Sequence, residues 1–360
     1  MNLDTRRVLR VSRGLPRAHK MAECLALGRY GDALQIATAP DASTDLVDLE
    51  LTTLTLYASA RRDAARSAAE QLLASAEAQA AAVGPARRIL AERLWDIDLR
   101  RNYEQVRRLL APEDDPVDLD AIEHFRRRVL MGDFAQCRGQ YDLAARCLEE
   151  AAQLAAAVTD EDDRTACLAE FELAHCRNLQ GRDEFDAALE SIGRGLAYAE
   201  AAKDNATWLR LMIRRTRTLF MINDQDAGRS VLAEAVAMHD TCVKSGVTSW
   251  DSVWAELAFA QGELALYGRR PVTAERLLRE AAKIDSATGS HEAFVESAVL
   301  LTASLIMQDR PTAALDQYAR ARELCADQCY ADLSGDLDRL AESRRFRKMS
   351  GMIQREGSPS

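Results

Sequence analysis

Along the chain, apolar positions never gather into the recurring Val/Ile-rich runs of five or six residues that buried parallel strands require. The longest strongly apolar stretch, Ala298 to Met307, is ten residues and includes Thr302 and Ser304. That is about half of what a bilayer span needs. What recurs instead is a short word: a turn residue, an aromatic or other residue two later, and a small residue three after that. It appears as Gly28-Arg-Tyr30-Gly-Asp-Ala33, Arg101-Asn-Tyr103-Glu-Gln-Val106, Gly139-Gln-Tyr141-Asp-Leu-Ala144 and Asp309-Arg-Pro311-Thr-Ala-Ala314. Looser copies run from Gly181 through Phe185 to Ala188, from Asn223 to Gly228 and from Gly268 to Ala274, with a poor one ending near Ala64. The anchors 33, 64, 106, 144, 188, 228, 274 and 314 divide 281 residues into seven intervals of about 40. Self-similarity at such a period marks a stacked array in which each unit buries its apolar face against the next.

Each position of the word has a job in a helical hairpin. The turn residue ends the first helix in a left-handed conformation, the aromatic packs the start of the second, and the small residue lets two helices approach. Two turns beyond the anchor, small residues recur at Ala151, Gly195, Ala235, Ala281 and Ala321. The pattern predicts an all-α chain of about eight antiparallel hairpins. Composition agrees, since Ala, Leu, Arg and Glu dominate, and 8 Pro and 17 Gly leave little material for the turns of an all-β fold. Residues 1–20 read as a basic N-terminal segment, 21–329 as the array, 330–354 as a C-terminal capping helix and 355–360 as a disordered tail.

These residues resemble the tetratricopeptide repeat (TPR), with its Gly, Tyr two later, Ala three later and a further Ala seven beyond. Gly132 to Ala151 is the best unit, and Met131-Gly132 matches the family's Leu-Gly pair. The period near 40 is longer than the family's usual 34, and the Pro that closes each TPR unit is missing. The longer period is closer to the TPR-like sensor domains of bacterial regulators. The resemblance implies a right-handed α-solenoid that binds a protein or peptide in its concave face as scaffold or adaptor. It implies a ligand-sensing and oligomerisation domain of a bacterial regulator as the alternative, with the output module in a partner or in sequence outside these residues. An enzyme with a site assembled between repeats is the third reading; it predicts a deep pocket of His, Asp or Glu around His175.

The resemblance also places ligand-facing residues on the first helix of each hairpin, three, six and thirteen residues before the turn residue. That register gives Arg88, Trp95 and Asp98, then Arg126, Asp133 and Gln136, then His175 and Asn178, then Arg210 and Arg217. Arg214 lies between the last two, in the densest basic patch of the body. Neighbouring units give apolar or small residues there, such as Ala258, Gly262 and Ala265. A polar, mixed-charge stripe in the middle units is what a peptide groove needs.

Charge narrows the partners. Residues 1–20 carry six basic side chains against Asp4, a balance of +5, and residues 339–355 carry six against Glu342, again +5. A total of −10 then leaves about −20 for the body, which argues against nucleic acid along the solenoid. Arg6, Arg10, Arg13 and Arg17 recur at intervals of four, three and four, either a solvated cap or a stripe for an anionic partner. Eight cysteines without a CxxC pair, and no secretory h-region, predict reduced thiols in a cytoplasmic protein. Phosphate loops, HExxH and GxSxG are missing, and His239-Asp240-Thr241-Cys242 offers only two metal ligands. No cofactor and no catalytic residue is expected. Trp95 and Trp208 read as binding anchors or as packing between helices, Trp250 and Trp254 as packing, and a second copy of the chain is a further possible partner.

Overall fold

The computed structural model describes residues 6, 9–10, 12–26, 30–39, 46–58, 62–77, 83–110, 121–244, 251–288, 291–326, 331–343 and 346–347. Among these residues every regular element is a helix. They are α1 (Pro16–Ala26), α2 (Tyr30–Ala37), α3 (Leu46–Ala58), α4 (Arg62–Glu77), α5 (Val83–Leu109), α6 (Ala121–Gln136), α7 (Tyr141–Ala157), α8 (Glu161–Gly181), α9 (Phe185–Ala201), α10 (Asn205–Met221), α11 (Gln225–Lys244), α12 (Asp251–Tyr267), α13 (Pro271–Thr288), α14 (His291–Met307), α15 (Pro311–Ala326) and α16 (Ala331–Glu342).

From α6 onward the chain repeats one hairpin. Gly139, Asp183, Asn223, Arg269 and Asp309 all have φ between 53° and 66°, the left-handed region. In each case the next amide bonds back to the first helix: Gln140 to Ala135, Glu184 to Leu179, Asp224 to Leu219, Arg270 to Ala265 and Arg310 to Leu305, at 2.8–3.2 Å. This closes the orphan carbonyls of the helix end and turns the chain sharply enough to lay the second helix on the first. Asp160, Asp204 and Asp224 then accept an amide three residues on, from Asp163, Thr207 and Ala227, and cap the following helices.

Counted from the left-handed residue, the word is regular. Two residues on stand Tyr141, Phe185, Gln225, Pro271 and Pro311; five on stand Ala144, Ala188, Gly228, Ala274 and Ala314, all buried. Seven residues before it, the first helix presents Gly132, Cys176, Thr216, Gly262 and Thr302, also small and buried. A Cβ on Gly132 would meet Leu148 Cγ at 3.2 Å, and one on Gly262 would meet Leu278 Cγ at 2.8 Å. The two helices therefore approach at positions where a side chain has no room.

Two of the expected turn glycines have other roles. Gly181 is the last residue of α8 and Gly268 follows α12, and the left-handed residues lie two and one positions later, at Asp183 and Arg269. A Cβ on Gly181 would fall 2.2 Å from the ring of Tyr141, so that glycine answers packing rather than φ.

The first third is less regular. The turn expected at Arg101-Asn102 falls inside α5, yet Asn102 Nδ2 donates to the carbonyl of Leu94, eight residues back, at 2.9 Å. A straight helix would separate those residues by about 12 Å, so α5 bends there. Ala64 is exposed while Ala65 is buried, one residue off the expected anchor. At the other end α16 packs Leu337 with Val295, Ala321 and Cys325.

The first helices of consecutive hairpins, α6, α8, α10, α12 and α14, lie side by side, and α5 also approaches α14. They form the inner face. No helix of the described residues is long and apolar enough to cross a membrane.

Candidate binding cavity

The inner helices enclose a cavity of about 390 Å³ reached by Glu92 of α5, Arg126 and Asp133 of α6, Glu170 and Arg177 of α8, Arg210 and Arg214 of α10 and Glu256 of α12. Its polar residues occupy fixed rows of the repeat. Thirteen residues before the left-handed turn stand Arg126, Glu170, Arg210, Glu256 and Glu296; six before it stand Asp133, Arg177, Arg217 and Glu263. Sign alternates within pairs of neighbouring helices. Arg126 pairs with Glu170 at 4.0 Å and Arg210 with Glu256 at 3.2 Å, while Asp133 pairs with Arg177 at 3.2 Å. Below the cavity Arg217 lies 3.6 Å from Glu263 and 3.5 Å from Glu296, with its guanidinium 5.1 Å from the centre of the Phe259 ring.

Burial and these neighbours set the charge states. Desolvation raises the Asp133 carboxyl, against the pull of Arg177 and Arg214. Glu263 is likewise raised by burial. Burial works against charge at Arg217 and Glu296 as well, but their mutual attraction wins, so the arginine is raised and the glutamate lowered. Arg214 is brought down to about 10, by burial first and then by repulsion from Arg177 and Arg217. It still carries its charge at neutral pH.

Of the residues singled out from sequence, Arg126, Asp133, Arg210 and Arg214 line this cavity and Arg217 sits just beyond it. Arg88 is fully buried elsewhere: its Nε faces both carboxylate oxygens of Glu123 at 3.0 and 3.1 Å, and its Nη1 meets Glu92 at 2.6 Å. Trp95 packs edge-on against Phe134, centroids 5.4 Å apart. The side chain of Asp98 lies outside the described residues. Gln136 is an inter-repeat strut, its Nε2 donating to the Ala174 carbonyl at 3.2 Å, and Gln180, one unit on, does the same to the Arg214 carbonyl at 3.2 Å.

His175 and Asn178 came from a register two residues out. Counted from Asp183 instead of Gly181, the same offsets give Gln180, Arg177 and Glu170, and the last two line the cavity. His175 instead stacks on Phe171, centroids 5.2 Å apart, and Asn178 is buried. The seventh unit shifts too: from Arg269 the offsets fall on Glu263 and Glu256, where the Gly268 register had given small residues. The overlooked signal was the fixed spacing to Phe185 and Pro271, each the first residue of its helix.

Other candidate chemistry is packed away. Arg6 donates to the Ala202 carbonyl at 2.6 Å, Arg10 pairs with Asp163, and Arg17 donates to the Ile36 carbonyl at 2.6 Å and approaches Asp48 at 3.5 Å. The N-terminal stripe is thus largely bound to the chain itself. His239 stacks on Trp254, whose Nε1 donates to Glu280 at 3.0 Å. No group of three metal-ligating side chains gathers among the described residues.

No protein-family model matches the sequence, and no curated protein does. The fold does have relatives. A Rap protein complexed with competence and sporulation factor overlaps with a TM-score of 0.60 at 12% identity, over 86% of each chain. Aspartyl phosphate phosphatase F from Bacillus subtilis gives 0.46 at 11% identity over 92% of this chain and 94% of its own. A signal-transduction ATPase with a tetratricopeptide-repeat sensor from Pyrococcus horikoshii gives 0.45 at 11% identity, over 92% of this chain and 52% of its own. The five repeated left-handed turns, the stacked first helices and the overlap with the Rap protein establish that this chain has the fold of the TPR-like helical solenoids.

Proposed function

We propose that the protein is a binding module that takes up a peptide or protein segment in the cavity of its inner face and carries out no catalysis of its own. The single observation behind this reading is that the cavity is walled by four successive units with charged side chains at fixed rows, joined by Glu92 of α5. Paired, partly solvated charges of alternating sign can exchange partners with a polar ligand at low cost, and a volume of about 390 Å³ lies within the roughly 300–1,000 Å³ of ligand sites. The Rap protein of the same fold was solved in complex with a factor, which supports a ligand-binding role for this fold. Arg177→Glu/Arg210→Glu reverses two cavity charges. Partners that wild type recovers from a cell lysate should be lost by this variant while its far-UV circular dichroism stays helical. Unchanged recovery sinks the assignment of the cavity.

A sensor role is the second reading, favoured because the cavity touches helices from α5 to α12 and α5 in turn approaches α14. A ligand held there would tie α5 to α12, and through α5 also α14, to one occupied state.

A further inference from the structure

Four cations reach the cavity, and three of them have a carboxylate within 4 Å: Arg126 with Glu170, Arg177 with Asp133 and Arg210 with Glu256. The remaining acid, Glu92, holds Arg88, which is also held by Glu123. Arg214 is left over. Among the described residues its guanidinium has no hydrogen-bond acceptor and no ion-pair partner; only its backbone carbonyl is engaged, by Gln180 and Thr218. Glu256 and Glu296 act on it through their field alone.

The repeat shows how unusual that placement is. Nine residues before the left-handed turn, the other units carry Leu130, Ala174, Ala260 and Leu300. In the five units with a left-handed turn the row is apolar or small except at Arg214, and it runs between the two charged rows whose members neutralise one another. A guanidinium that stands half-buried in a cavity without an anion of its own has given up part of its water without replacing it. Its planar fork fits a carboxylate in two parallel hydrogen bonds.

We propose that Arg214 is the anchor of the cavity and that its ligand is a carboxylate, carried by a short peptide at its C-terminus or on an Asp or Glu side chain, or by a small organic acid. This rests on the cavity reading above and narrows it to one chemical class.

Equilibrium dialysis against three pentapeptide pools separates the sources. The first pool has free C-terminal carboxylates and no Asp or Glu; the second has C-terminal amides with Asp and Glu admitted; the third has amides and neither acid. Retention of the first or second pool about ten- to a hundredfold above the third is expected, the range of a charge-assisted hydrogen-bonded pair. Arg214→Gln should erase that excess, and Arg215→Gln, on an exposed neighbour, should keep it. If Arg214→Gln loses its helical circular dichroism, Arg214→Lys decides: it retains charge without the fork and should cut the excess severalfold, whereas an undiminished excess overturns the anchor.

Equal retention of all three pools by wild type overturns the carboxylate anchor but leaves the peptide cavity standing. Retention of none, with succinate raising the melting temperature of wild type and not of the folded Arg214 variant, supports the anchor with a small acid and removes the peptide. No retention and no succinate effect overturns both.

Discussion

The segment from α6 to α15 and the segment from α1 to α5 belong to one array, yet they are held in order by different means. After Ala121 the chain reuses one turn, with a left-handed residue and a backward amide bond in five successive units spaced 44, 40, 46 and 40 residues apart. Before it, the bend in α5 rests on a side chain, Asn102, and the junction with α6 rests on the fully buried Arg88 between Glu92 and Glu123. A backbone device can recur with almost any side chain at the turn; a side-chain device is written in particular residues and holds one place only.

The largest expected break lies at that junction. Arg88→Met removes the guanidinium that both carboxylate oxygens of buried Glu123 face and should cost about 3–5 kcal/mol in urea unfolding. Adding Glu123→Leu should restore most of it, because the penalty comes from the buried carboxylate that has lost this ion pair. If the single variant loses under about 1 kcal/mol, the junction is not held as described. In the regular segment, Gly262→Val drives a branched side chain against Leu278 Cγ, 2.8 Å from where its Cβ would sit. A loss of about 3 kcal/mol is expected, with α12 and α13 exchanging amide hydrogens faster than α1 to α4.

A smaller effect depends on pH. Asp285 of α13 is buried, and desolvation, followed by the fields of Glu256 and Glu296, moves its carboxyl from 3.8 up to about 8. The folded chain therefore holds a proton that the unfolded chain releases, and this carboxyl weakens the fold progressively as pH rises from about 4 to about 8. Asp285→Asn should match wild type near pH 4 and be clearly the more stable near pH 9; parallel stability curves would refute the assignment. The smallest effect is a gain: Arg269→Gly relieves a left-handed non-glycine residue at φ 53° and should add up to about 1 kcal/mol. Arg87→Gly, inside the irregular segment's helix α5, should lose about that much.

The same contrast decides what was legible in the sequence. The period and the small-residue anchors were readable because close helix approach admits few side chains, so Ala144, Ala188, Ala274 and Ala314 stand out. The turn was readable where its left-handed residue is Gly139, Asn223 or Asp309. It was misplaced where an ordinary Asp183 or Arg269 takes that conformation beside a glycine that serves another purpose. One slip of two residues moved the ligand row from Arg177 and Glu170 to His175 and Asn178, and a slip of one hid Glu256 and Glu263. Ion pairing was not readable at all: Arg177 finds Asp133 44 residues away, and Arg217 finds Glu296 79 residues away.

Hydrogen exchange on wild-type protein, with and without the pentapeptide pool that it retains best, tests the central claim that the charged inner face of α6, α8 and α10 is the working surface. Slowed exchange is expected, confined to those helices and the start of α12, with α1 to α4 unchanged. Protection centred on α1 to α4 or on the outer helices α7, α9 and α11, or none anywhere, would contradict it.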